Sequence, residues 1–156
     1  MVKKIVGTGV LLVLALALQA GVKMYTLKSP DGKVKLEVTA GQGIAYSLFY
    51  DGRLLLKPSR IALHTDLPEA DHWENIRITG TKQRHVSETV QAPFYRVKEF
   101  GIDCNELELR LNNGFSLLMR AYNDGMAYRF VAGRKGEMTV VEERAEFNFA
   151  DDFEAY

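Results

Sequence analysis

"NELELRLNNGFSLLMRAYNDGMAYRFV", Asn105 to Val131, alternates apolar and polar residues almost without a break. Leu107, Leu109 and Leu111 fall on one parity, and Glu106, Glu108 and Arg110 on the other. Successive side chains of an extended strand point to opposite faces, so this run fits a half-buried strand and not a helix of 3.6-residue period. On that reading the leucines face a core, and Glu106, Glu108 and Arg110 face water. The same period recurs elsewhere. In "KVKLEVT", Val34, Leu36 and Val38 oppose Lys33, Lys35 and Glu37. In "GIAYSLFY" the apolar set is Ile44, Tyr46, Leu48 and Tyr50. In "MTVVEERAEFNF", Val141, Glu143, Ala145, Phe147 and Phe149 oppose Glu142, Arg144 and Glu146. Asp51-Gly52 and Asn113-Gly114 punctuate the runs with strong hairpin signals. No helical stripe follows residue 24. About ten short strands joined by Gly, Asn and Asp turns predict an all-β, antiparallel β-sandwich with a wet face on each sheet. The stretch "HTDLPEADHWENI", with Pro68 and Trp73, the one tryptophan, interrupts the pattern as a longer surface loop.

"RAYNDGMAYRF" leaves its register open. A two-residue turn at Asp124-Gly125 sets Arg120 opposite Arg129, and like charges facing across a ladder repel. That register needs an acid or a partner's carboxylate between the arginines. A three-residue turn with a glycine bulge instead faces Arg120 with Tyr128 and Arg129 with Met119. A guanidinium over a phenol ring stabilises by ~0.5–1 kcal/mol when exposed, and the bulged register is preferred.

The first residues are a separate object. Lys3 and Lys4 precede an apolar run from Ile5 to Leu18, and small residues follow at Ala20 and Gly21. This reads as a secretory signal peptide over residues 1–20, the rival being an N-terminal membrane anchor. With cleavage no stable membrane anchor is expected, and the sandwich domain runs over 24–156. Cleavage takes Lys3 and Lys4 from 20 basic and 20 acidic residues, leaving a net charge near −2. Nothing in that balance favours nucleic acid as a partner. Cys104 is the single cysteine, so no internal disulfide is possible, and the thiol reads as a small buried apolar group.

"SPDGKVKLEV" (Ser29 to Val38), "YDGRLLLKPSRIAL" (Tyr50 to Leu63), "ETVQAPFYRVKEFGIDCNELELRL" (Glu88 to Leu111) and "RAYNDGMAYRF" occur in this order. Together they resemble the N-terminal domain of glycoside hydrolase family 97. "SPDGK" and "YNDGMAYR" are the more specific pieces, and "CNEL" is similar to the family's usual "YNEL". The chain departs from the pattern at Val90, where Trp is common, and at Tyr95-Arg96, where Gly-Glu is common. The resemblance implies an exported, calcium-dependent α-glycosidase, an α-glucosidase or α-galactosidase, located in the periplasm, secreted, or associated with the outer membrane. It implies a β-super-sandwich of the galactose-mutarotase type, incomplete here, ahead of a catalytic (β/α)8 barrel. The acid, the base or nucleophile and most calcium ligands would belong to that barrel, which is thus the expected partner together with a carbohydrate substrate.

Glycoside hydrolysis needs two carboxyl groups about 5–10 Å apart. The pairs Glu106/Glu108 and Glu142/Glu146 read as solvated strand faces, so no catalytic residue is assigned. His64, His72 and His85 lack the convergent spacing of a zinc site. Asp66, Glu69, Asp71 and Glu74 offer oxygen ligands to calcium without the regular spacing of a calcium-binding loop, and no metal ligand is assigned. Trp73 fits either a sugar platform or a packing and interface role. Arg120, Asn123, Asp124, Tyr128 and Arg129 are candidates for substrate contact or for docking onto the barrel. Two rival functions stand beside this one: a free-standing carbohydrate-binding sandwich, and an envelope module pairing its edge strands with another protein.

Overall fold

The computed structural model describes residues 23–94, 96 and 98–153. The signal-peptide assignment and Tyr95 therefore lie outside the described residues. Among the described residues nine strands form: β1 (Met24–Lys28), β2 (Val34–Gly41), β3 (Gly43–Tyr50), β4 (Arg53–Thr65), β5 (Ile78–Gln91), β6 (Glu99–Leu111), β7 (Phe115–Tyr122), β8 (Gly125–Ala132) and β9 (Val140–Ala145). They assemble into two antiparallel sheets, ordered β1-β2-β3-β4-β9 and β5-β6-β7-β8.

Turn chemistry fixes the hairpins. At the β3–β4 turn, Tyr50 pairs with Arg53, and Asp51 and Gly52 hold φ of 47° and 79°. Positive φ at both central positions matches the right-handed twist of the flanking strands. The β1–β2 turn is closed by Gly32 N–H donating to Ser29 C=O at 3.0 Å. Asp31 steadies it, accepting from Ser29 Oγ at 2.6 Å and from Lys33 N–H at 3.0 Å. The Ser29 hydroxyl and the Lys33 amide hold the Asp31 carboxyl below the usual range.

The inner parities meet as the alternation requires. Leu27, Leu36, Val38, Ile44, Tyr46 and Ile61 of the first sheet form one buried cluster with Leu107, Leu109, Leu117, Met119 and Ala121 of the second. The cluster does not extend to every strand. β9 is exposed along its whole length, with Val141 at 69% exposure, and Phe149 beyond its end is 60% exposed. Parity placed these residues with Phe147 on an apolar face, but among the described residues no second layer covers them. β5 is a 14-residue edge strand with only Val86 buried, and the β5–β6 hairpin carries Phe94 at 97% exposure.

Long edge strands beside exposed apolar side chains template association. The full chain is therefore expected to self-associate in a concentration-dependent way. Sedimentation velocity checks this, and a monodisperse monomer over a wide concentration range would contradict it.

Candidate functional site

The β7–β8 hairpin adopts neither register weighed from the sequence. Tyr122 pairs with Gly125, Arg120 with Ala127, Met119 with Tyr128 and Leu118 with Arg129. The loop is Asn123-Asp124, and neither residue has positive φ. The bulged register fails because of which faces can be buried. Directly opposed residues share a face, and a slip of one residue would carry Tyr128 and Phe130 to the solvent side. The observed register keeps Met126, Tyr128 and Phe130 against the buried Leu117, Met119 and Ala121. Burial of three large side chains outweighs a single cation–π contact.

The five hairpin candidates thereby separate. Arg120 and Arg129 lie on the outer face, lining a depression of about 170 Å³ with Leu118, Tyr122 and Ala127. Arg129 is exposed and has no ion-pair partner among the described residues. Tyr128 turns inward, its ring 6.1 Å from that of Tyr46 and 6.0 Å from Phe130. Its hydroxyl donates to Glu143 at 3.3 Å. Burial and the Glu143 carboxylate push the phenol up to about 12. Asn123 Oδ1 accepts from Asp31 N–H at 3.1 Å, so the hairpin tip is fastened to the β1–β2 turn. Asp124 is exposed beside it.

Arg120 does have an acid beside it, but the second arginine is Arg84. Arg84, Glu106 and Arg120 stand in register on β5, β6 and β7. Arg84 Nε reaches Glu106 Oε1 and Arg120 Nε reaches Oε2, both at 2.7 Å. Glu106 is only 4% exposed, which corrects the expectation of a solvated carboxylate. Its parity is outward, yet two guanidinium stems lie over it and exclude water. Burial alone would raise its pKa. The hydrogen bonds from Arg84 and Arg120 more than offset that and leave it below the usual glutamate range. Charge-assisted bonds from both sides keep this carboxylate ionised, which disqualifies it as a general acid near neutrality.

Trp73 is a core residue. The indole is 7% exposed, lies near-parallel to Phe115 at 5.9 Å and meets Phe130 edge-on at 5.1 Å. Its Nε1–H donates to Leu63 C=O at 3.0 Å. Loop position and aromatic character did not reveal its direction, because a loop folded over the open end of a sandwich can send one side chain inward. No sugar-stacking face remains on it.

Among the described residues three of the four loop acids are engaged elsewhere, Glu74 being the exception. Asp66 accepts from Thr139 N–H at 3.0 Å, Glu69 pairs with Arg134 at 2.6 Å, and Asp71 bonds His64 Nδ1 at 2.8 Å. Among the described residues no group of three or more His, Cys, Asp or Glu converges. The residues present do not fit a calcium ion. Cys104 is buried and free, with burial pushing its thiol up.

Glu106→Gln is expected to destabilise the chain by about 2 kcal/mol, because Arg120 loses its charged partner in a largely dry site. Arg84→Ala should cost less than Arg120→Ala, since Arg84 is half-exposed and rehydrates. A carboxyl with a lowered folded pKa contributes stability above its unfolded pKa and loses it as pH falls through the folded value. Urea denaturation across the acid range should therefore show a shallower loss of stability in Glu106→Gln than in the parent sequence. Trp73→Ala should cost about 3–5 kcal/mol by the same measurement, whether or not sugar is present. A loss confined to sugar affinity would contradict its place in the core.

The chain is similar to proteins of known class. The description "Glycosyl-hydrolase 97 N-terminal" matches residues 27–156. A retaining alpha-galactosidase of Bacteroides thetaiotaomicron is 40% identical over 141 residues, covering 90% of this chain and 21% of that protein. A probable retaining alpha-galactosidase of Streptomyces bingchenggensis is 27% identical over 131 residues, covering 81% and 20%. Among solved structures, a beta-arabinopyranosidase superposes with TM-score 0.70 at 25% identity over 80% of this chain and 21% of that one. A family 97 enzyme from Pseudoalteromonas sp. strain K8, in complex with panose, gives 0.67 at 19% identity over 81% of this chain and 20% of that one. The chain thus spans about a fifth of the length of these relatives. It belongs to glycoside hydrolase family 97 and corresponds to the N-terminal β-sandwich domain of that family.

Proposed function

We propose that this chain is the supporting domain of an exported α-glycosidase and shapes the approach to a catalytic barrel supplied by the parent protein. The observation that carries this reading is the alignment with only the first fifth of a retaining alpha-galactosidase. The side chains agree with it. Glu106 is locked between two arginines, Glu146 receives Arg144 Nε at 2.8 Å, and Glu143 accepts from Tyr128. Carboxylates engaged in this way are held ionised by local partners and are poorly suited to the acid role that glycoside hydrolysis requires.

The outer face around Leu118, Arg120, Tyr122 and Arg129 is the docking surface toward the barrel. It pairs an unneutralised guanidinium with an aromatic ring, the residue types enriched at interfaces. The calcium that the family resemblance implies would be held by the parent's other parts, because among the described residues no group of acids converges here. Export to the periplasm is supported by the basic and apolar character of residues 1–20.

The chain alone, assayed on nitrophenyl α-galactopyranoside and α-glucopyranoside, should show no turnover above background, while the full-length parent hydrolyses at least one of them. Hydrolysis by the isolated chain would overturn the supporting role.

A further inference from the structure

A second concavity lies away from the Arg120 face. It is a cleft of about 960 Å³ on the outer side of the first sheet, where Thr39, Ala45 and Arg60 meet the connection between β4 and β5. That volume is within the range of small-molecule sites. The connection forming its rim is held rigidly. Ile76 N–H donates to Gly41 C=O at 2.7 Å. Arg77 N–H donates to Asn112 Oδ1 at 2.8 Å, and Asn112 N–H returns to Arg77 C=O at 3.0 Å. Trp73 anchors the same segment in the core. Asn75, at the cleft, holds a left-handed φ of 59°, a conformation kept only where its surroundings determine it. A loop pinned this thoroughly is preorganised.

Its charges are less settled than its backbone. Arg60 and Arg77 both line the cleft, and neither guanidinium has an ion-pair or hydrogen-bond partner among the described residues. Glu146 also lines it, but its carboxylate is satisfied by Arg144 Nε and by Arg60 N–H at 3.0 Å. Glu74 is the remaining acid. Two uncommitted guanidinium groups thus face one uncommitted carboxylate. Around them stand planar polar groups, Gln42 and Asn112, which can bond neighbouring hydroxyls in pairs. The floor is small and apolar, with Gly41, Gly43 and Ala45, so the C–H face of a sugar ring can approach closely.

We propose that this cleft binds an acidic saccharide, its carboxylate held by Arg60 and Arg77 and its hydroxyls by Glu74 and the neighbouring amides. Guanidinium forks match carboxylate geometry. The proposal rests on the reading that the parent protein acts on carbohydrate, and it adds a uronate-bearing glycan as the class recognised by this domain.

The test is calorimetric titration of the full chain with digalacturonate and with galactobiose, a neutral disaccharide of the same length. The acidic disaccharide should bind saturably and about tenfold or more tighter than the neutral one. Arg60→Gln and Arg77→Gln should each weaken it by about tenfold, whereas Lys82→Gln on β5 leaves it unchanged. Both arginines are exposed, so their replacement removes no core packing, and thermal melts should be unaltered. Equal affinity for both disaccharides overturns the acidic preference while leaving the carbohydrate reading in place. Absence of binding to either, with hydrolysis by the full-length parent intact, overturns the cleft as a site without touching the parent's activity. Binding that survives the double variant Arg60→Gln/Arg77→Gln also overturns it.

Discussion

Between the sheets, Leu36 and Val38 share one apolar cluster with Leu109, Leu117 and Met119, and every other feature is subordinate to keeping those side chains inward. Because a strand has only two faces, this burial fixes more than the core. It decides which residues appear on the outer surfaces, and therefore which charges become neighbours. Arg84, Glu106 and Arg120 form their row only because Gln83, Leu107 and Met119 follow the opposite parity on the same three strands. The ion row is a consequence of the leucines next to it.

That hierarchy explains what could be read from the sequence. The strands, the Asp51-Gly52 hairpin and the two-sheet architecture were legible because period and turn chemistry are local. The β7–β8 register was misjudged by weighing Arg120 against Tyr128 in isolation. The apolar parity of Met126, Tyr128 and Phe130 argues against the bulged register, which would turn all three outward. Glu106 was assigned to water because parity reports direction and not depth. Its burial depends on two arginines from strands 22 residues away on one side and 14 on the other, which no local pattern reveals. Trp73 was ambiguous for a related reason, since an irregular loop has no parity to consult. The exposure of Val141 and Phe149 is the opposite case: their alternation is strand-like, but an apolar face is buried only where another layer meets it.

Division of labour between the two outer faces is the functional counterpart. One carries Arg120 and Arg129 over a sheet whose acids are neutralised at short range. The other carries the cleft, with Arg60 and Arg77 on a rim fixed by backbone bonds. In both, arginine is the residue left over once local ion pairing is satisfied, and this suits surfaces that receive an incoming group.

The bond from Asp31 N–H to Asn123 Oδ1 joins two turns separated by 92 positions in the chain. Turns are ordinarily the places where a lineage gains or loses residues at little expense. Here an insertion in either one would draw donor and acceptor apart, so "SPDG" and "YNDG" are bound to a common length. Two stretches that look like independent signatures along the chain thus behave as a single clasp, and drift in one is constrained by the other.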